Sequence, residues 1–449
     1  MIKYTKFFII ILLAVSAFGA RAQSTATTSS PYSRYGLGDI DPSVLPQTRG
    51  MGGIGTAINK INNFNTINVL NPASYGFINY TTIDVGLYSN IVNLSQITPT
   101  GQTSVSNANF RLSHINFAVP VSRRSALSFG LMPYSEMGYN YKQTKSSLGS
   151  GLPVDTNAVN YLYSGDGGLS KAYFGYGVGI TKHLYIGGNV SYIFGNLIQN
   201  EATESPNSYG FLNSQEEHSN SIGGLNYDYG IQYAFDLSDT KHLTFGYSAS
   251  TSNSINNTES YIVSQYTYDS SGNQNTPADS VVNRQNSKTK IKLPQINHFG
   301  VSYQYDNHYL VGADFTMGSW SNYTGINQGA DVKFQNSKTF NIGGQYTPNG
   351  NALRNYFARV DYRLGFIYDQ TYLNLNNTNI NRYAVTFGLG LPLAPSQTLT
   401  TFYKVNLSAE IGKRGTLGTV DNPLVKENYV NIHLGFTLND KWFQKYKFQ

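Results

Sequence analysis

The chain has 449 residues, no cysteine, 12% charged and 14% aromatic residues, and a formal net charge of +6. The missing cysteine excludes disulfides, thiolate metal sites, cysteine nucleophiles and a lipidated N-terminus, and the charge, spread without a basic cluster, argues against nucleic acid as a partner. A charge content about half that of a typical globular chain, with 36 Tyr, 24 Phe and 44 Gly, suits a barrel whose outer face meets lipid between two aromatic girdles.

The first element is a targeting segment. Lys3 and Lys6 precede an apolar run from Phe7 to Phe18, and Ala20-Arg21-Ala22 offers small residues to a signal peptidase. Residues 1–22 read as a signal peptide cleaved after Ala22. The run is shorter than the roughly 20 residues of a membrane helix. Export to the outer membrane of a Gram-negative-type bacterium is the expectation.

Residues 23–79 do not alternate and are rich in Gly, Pro, Asn and Ser. They read as an N-terminal arm and a hatch. Two pieces stand out: the run Arg49, Gly50, Met51, Gly52, Gly53, Ile54, Gly55, Thr56, Ala57, and the triplet Asn71, Pro72, Ala73. Gly50, Gly52 and Gly55 spell a formal G-x-G-x-x-G. It fails as a dinucleotide fingerprint, because no strand precedes it, no helical pattern follows and no acid stands about 20 residues on. Close backbone packing is the better use of these glycines.

Residues 80–438 alternate with period two. Leu225, Tyr227, Tyr229, Ile231, Tyr233, Phe235 and Leu237 share a face, with Asn226, Asp228, Gly230, Gln232, Ala234 and Asp236 on the other. Such a run exceeds the usual soluble strand and suits a tilted membrane strand of about 9–11 residues. The pattern recurs at 184–194, 243–249, 299–305, 309–315, 356–368, 383–391 and 403–411, and more weakly at 81–94, 107–120, 125–140, 170–180 and 337–347. Long polar insertions at 142–168, 200–221 and 251–287 contrast with tight links such as Asp306–His308. The expected fold is all-β, a transmembrane antiparallel barrel of about 14 strands with an N-terminal plug in its lumen. Val430, Ile432, Leu434, Phe436 and Leu438 mark the closing strand. The tail 439–449 interleaves Trp442, Phe443, Tyr446 and Phe448 with lysines. It reads equally as an interfacial anchor or as a signal for the barrel-assembly machinery.

Charges on the polar faces are candidates for the lumen: Arg111, Asp314, Arg359, Asp361, Arg363, Lys404 and Glu410. Arg359 or Arg363 would pair with a substrate carboxylate in one reading. In the other, favoured because a buried charge needs a protein partner, the set forms a salt-bridge network. The seven histidines show no H-x₃-H spacing, and neither G-x-S-x-G nor H-E-x-x-H occurs. No metal, cofactor or catalytic activity is expected.

The Arg49–Gly53 run followed by Asn71-Pro72-Ala73, just before the first barrel strand, resembles the FadL-like family of long-chain fatty-acid outer-membrane transporters. Leu293-Pro294, Phe299–Tyr303, Leu310–Phe315 with Trp320, the Gly-rich strand at 384–391 and Ile411–Gly415 look like that family's later strands. The resemblance spans most of residues 47–438. It implies a 14-stranded barrel whose hatch blocks the lumen. It also implies hydrophobic small molecules or lipids bound inside and released sideways into the bilayer through an inward kink of the third strand. Gly130 and Pro133 are the matching candidate gate, since proline cannot donate to a ladder. The segment Gln23–Pro46, with Pro31-Tyr32-Ser33-Arg34-Tyr35-Gly36, is longer than the family's free N-terminus. It would reach deeper into the lumen, extend into the periplasm, or bind a partner. Two functions follow: passive uptake of hydrophobic compounds such as long-chain fatty acids, or a FadL-like partner or shuttle in protein secretion or outer-membrane assembly, with no solute moved. A structural or adhesive barrel is a third.

Overall fold

The computed structural model describes residues 29–62, 64–98, 101–145, 158–205, 212–269, 274–275, 279–327, 332–393, 401–420 and 422–442. The expected signal peptide and the tail from residue 443 lie outside them. The wall strands are β1 (Thr81–Thr98), β2 (Gly101–Ser122), β3 (Ser125–Lys145), β4 (Val159–Gly179), β5 (Leu184–Glu204), β6 (Asn213–Ser238), β7 (Lys241–Ser250 and Ser254–Tyr266), β8 (Asp279–Lys292 and Ile296–Tyr305), β9 (Tyr309–Gly318), β10 (Val332–Phe334 and Ser337–Tyr346), β11 (Asp361–Leu375), β12 (Thr378–Pro392), β13 (Phe402–Arg414) and β14 (Lys426–Asp440). Neighbours are antiparallel, and β14 pairs with β1 from Lys426↔Ser95 to Asp440↔Thr81. The result is a closed 14-stranded barrel. β8 breaks at Leu293-Pro294-Gln295, where proline has no N–H for the ladder.

The alternation has a direct structural cause. Leu225, Tyr227, Tyr229, Ile231, Tyr233, Phe235 and Leu237 are exposed, whereas Asn226, Gln232 and Ala234 are buried. An apolar face turned out and a polar face turned in is the arrangement lipid requires.

Two expectations are corrected. The long insertions at 142–168, 200–221 and 251–287 are largely strand, and the connections shrink to 146–158, 205–212 and 267–278. Beyond the hydrocarbon layer both faces of a strand can be polar. The ladder continues there while the apolar signal stops. The strand read from Tyr356 starts instead at Asp361, after a 3-10 turn at Phe357–Arg359. Phe357 is exposed at the turn end of the barrel, so its aromatic neighbours mimic an alternation that the backbone does not follow.

Residues 29–80 run inside the wall with little regular structure: short helical turns at Pro31–Arg34, Pro46–Arg49 and Pro72–Phe77, a two-residue strand, Asp39–Ile40, paired to β3, and a small antiparallel pair, Lys60–Ile61 with Phe64–Asn65.

Candidate functional site

The candidate site is the lumen, and its lower ring is made of glycine. Gly177↔Gly187↔Gly230, Gly246↔Gly300 and Gly343↔Gly365 are direct neighbours across β4–β6, β7–β8 and β10–β11. All lie in the half of the wall nearer the short turns. A Cβ on Gly177 or Gly187 would overlap the Pro72 carbonyl, one on Gly246 the Thr56 carbonyl, and one on Gly365 the Gly52 amide nitrogen. The wall thus meets the luminal segment backbone to backbone. On the other side of the contact Gly52 and Gly53 take φ of 72° and 75°, which side chains resist.

This approach brings polar groups into register. Gly55 N–H and Thr56 N–H donate to Asp314 Oδ2 at 2.7 and 2.8 Å. Gly52 N–H donates to Thr386 Oγ1 at 2.8 Å. Ser302 Oγ donates to the Ala57 carbonyl at 2.8 Å, and Asn71 Nδ2 to the Thr56 carbonyl at 2.7 Å. Arg49, Gly50, Met51, Gly52, Gly53, Asn71, Pro72 and Ala73 therefore all sit against the wall or within the segment's own turns, with Met51, Asn71 and Ala73 fully buried.

Nearer the long loops the arm itself fills the barrel. Tyr32 and Leu37 are buried in one apolar cluster with Met137, Leu169, Ile193 and Trp320. Tyr372 stacks on Trp320 at 4.0 Å and its hydroxyl donates to the Gly38 carbonyl at 2.8 Å. Arg34 bonds the Tyr141 hydroxyl at 2.7 Å and Glu201 at 2.6 Å.

Between ring and cluster lies a cavity of about 270 Å³ lined by Asp39, Asp41, Arg49, Lys171, Asp228 and Arg414 among others. Ile40, Val69, Leu293 and Ile367 share that lining, and the charged groups in it are paired. Asp41 pairs with Arg49 and, at 2.9 Å, with Arg111 of β2, which also pairs with Glu136 of β3. Arg414 holds Asp39 at 2.8 Å and Glu427 at 2.7 Å. Burial pushes the Asp41 carboxyl up, but Arg49 and Arg111 together outweigh it and hold it well below the usual carboxylate range. A depressed folded value makes this a stabilising term above the ordinary carboxylate range. It is lost as pH falls toward the folded value. Asp41→Asn removes it and leaves Arg111 facing Glu136 alone. We expect a loss of roughly 1–3 kcal/mol in the docking of the arm, read as faster protease cleavage near Asp39–Asp41 at neutral pH, with a smaller difference from the native chain in strong acid.

The other sequence candidates fall into place as follows. Arg363, Asp361 and Lys404 form a buried cluster, with Lys404 Nζ at 2.8 Å and Arg363 Nη2 at 3.2 Å from Asp361 Oδ2. Glu410 accepts from the Tyr429 hydroxyl at 2.7 Å. Arg359 does not join them. It belongs to the 3-10 turn, with its guanidinium 5.5 Å from the Tyr356 ring, so it does not alternate with Asp361 and Arg363 along one strand. Sequence reasoning missed Asp41, Glu136, Lys171, Arg414 and the wall glycines. The glycines carried a signal, since they recur at inward positions of successive strands.

The wall is not evenly laced. β2 and β3 pair only from Ile115↔Leu131 to Ser122↔Ser125. β3 stays on β4 throughout, with an irregularity between Pro133 and Ser135. Gly130 keeps partners on both sides, Asn116 and Tyr173, whereas Pro133 pairs with Ser170 alone. Above that point β3 turns its free edge to the arm: Asp39↔Glu136 and Ile40↔Ser135 pair, and Asp41 N–H donates to the Tyr134 carbonyl at 3.0 Å.

Among the described residues no group of three His, Cys, Asp or Glu side chains is arranged to hold a metal. His114 is satisfied by Asp84 at 2.7 Å.

The fold is that of the FadL-like barrels. The toluene transporter TodX of Pseudomonas putida matches with a TM-score of 0.57 at 14% identity, over 90% of this chain and 100% of that one. A FadL homologue of Pseudomonas aeruginosa matches with a TM-score of 0.54 at 12% identity, over 90% and 100%. The toluene transporter TbuX of Ralstonia pickettii matches with a TM-score of 0.53 at 15% identity, over 89% and 98%. No curated protein matches the chain. A family model described as BamG matches residues 1–449, and the protein belongs to the BamG family.

Proposed function

We propose that this outer-membrane barrel is a closed, non-conducting component of a protein-assembly complex, with residues 29–80 acting as a permanent hatch. One observation carries the reading: side chains of the arm fill the half of the lumen nearer the long loops. Tyr32 and Leu37 occupy the apolar half of the lumen, and the space left mixes apolar side chains such as Ile40, Val69, Leu293 and Ile367 with charged ones such as Asp39, Asp41, Lys171 and Arg414. A solute site is normally apolar with a few polar groups; here the charged groups are several and are tied in ion pairs between the arm and the wall, as Asp41 is to Arg111 and Asp39 to Arg414. The family's name points the same way, toward barrel assembly. The reading is tested by affinity isolation in mild detergent. Stoichiometric recovery with other outer-membrane assembly components supports it, and recovery of the barrel alone sinks it.

A second reading is passive movement of hydrophobic compounds, long-chain fatty acids included, with lateral release past Gly130 and Pro133. It is favoured by the β2–β3 ladder that ends at Leu131, and by the likeness of the fold to the toluene transporters TodX and TbuX. It requires the arm to leave. Uptake of a labelled fatty acid or toluene that depends on the gene, and rises when residues 29–40 are deleted, would support it. Equal uptake in all strains would remove it.

A further inference from the structure

The ladder that stops at Ile115↔Leu131 leaves two strand edges facing each other toward the loop end. Carried upward, that register sets Gly101–Ala108 of β2 opposite Gly138–Lys145 of β3, to within a residue. β2 is paired to β1 along this whole stretch, and β3 to β4. Among the described residues no strand pairs with either inner edge above Gly138. The width of the slot is set where the arm enters it. Ser30 N–H donates to the Gly138 carbonyl at 2.9 Å, and Asn109 Nδ2 donates to Ser29 Oγ at 3.3 Å. Two successive residues of one chain thus reach both strands at that level, backbone to backbone on β3 and side chain to side chain on β2.

Its chemistry is unusual for a free edge. Native edges are blunted by charge, proline, bulges or brevity. From Gly101 to Asn109 the sequence GQTSVSNAN has no charge and no proline, and its ladder to β1 runs without a bulge. The opposite edge carries Lys142 and Lys145, both exposed. Lower down, the same β3 edge already takes an extended antiparallel segment, Asp39–Ile40. We propose that the slot between Gly101–Ala108 and Gly138–Lys145 receives one extended strand of an outer-membrane partner protein, held by backbone hydrogen bonds and carrying acidic side chains toward Lys142 and Lys145. A second copy of this barrel is a poor occupant. Its β2 arrives with β1 already paired on the far edge and so offers one free edge where the slot presents two. This inference rests on the assembly reading and names where the partner binds.

The chain has no cysteine, so single substitutions report without background. Thr103→Cys, Val105→Cys and Asn107→Cys are each charged with a thiol-linked photo-crosslinker in intact outer membranes, and the adducts are mapped by mass spectrometry. The expected result is crosslinks to one segment of one partner, advancing by two residues there for each two-residue step on β2. The double variant Lys142→Glu/Lys145→Glu should lower the yield several-fold while the heat-dependent gel mobility stays native. Crosslinks to this chain's own residues before Ser29, crosslinks between two copies, adducts without a common register, or no adducts each overturn the proposal. If co-isolation with assembly components persists while the crosslinks fail, only the slot is wrong; if co-isolation is also lost, the assembly reading falls with it.

Discussion

Replacing Gly365 with valine is expected to free the luminal segment while the wall stays closed. A Cβ at Gly365 would overlap the amide nitrogen of Gly52 and the carbonyl carbon of Met51. These are backbone atoms, so no rotamer change relieves the clash. Overpacking of this kind costs about 1–3 kcal/mol or more. The segment is held locally by bonds such as Gly52 to Thr386, each worth about 1 kcal/mol net, so displacement relieves more than it loses. The wall is different. Gly365 lies between full ladders to β10 and β12, and those do not depend on the segment. The variant should keep its heat-dependent gel mobility but gain protease sites between Arg49 and Asn71. It should also pass ions in a planar bilayer. Gly344→Val is the control. Gly344 neighbours Gly343, and a Cβ there would meet Leu310 and Val311 of the wall instead of the segment.

The second large effect concerns Asp361. Lys404 and Arg363 converge on it at 2.8 and 3.2 Å, Thr347 Oγ1 donates to it at 2.8 Å, and all three charged groups are buried. Asp361→Ala strands two cations away from water. Breaking a buried pair in this way costs about 3–5 kcal/mol. The urea midpoint of the refolded barrel in lipid vesicles should fall accordingly. The double variant Asp361→Ala/Lys404→Met should recover part of the loss, because the uncompensated charge goes with the lysine. A midpoint unchanged by Asp361→Ala would mean that the cluster is solvated.

Most of the wall was legible in the sequence because lipid enforces period two. Tyr229 and Ile231 must face out and Gln232 in, whatever the tertiary detail. The same logic failed where that enforcement stops. At 213–222 and 254–260 polar residues stand on both faces of the ladder, and they hid these strands. At Tyr356–Arg359 aromatic residues at the interface imitated a strand. The lumen was only half legible. Arg363 and Asp361 could be paired from their alternation on one strand, but their third partner, Lys404, comes from β13, and sequence spacing does not place strands that are not neighbours in contact. Asp41 was invisible for a related reason. Nothing in the irregular run around it says that Arg49, on the same segment, and Arg111, on the wall, reach it from opposite sides. Gly52 was read as a close-packing residue, but the glycines that receive it, Gly343 and Gly365, looked like ordinary small residues on a polar face.

Planar-bilayer recording of the purified protein decides whether residues 29–80 seal this barrel. The native chain should insert without steady conductance, and a variant lacking residues 29–58 should insert and conduct. Stable open-channel currents from the native chain, equal to those of the deletion, would mean that residues 29–80 do not close the lumen.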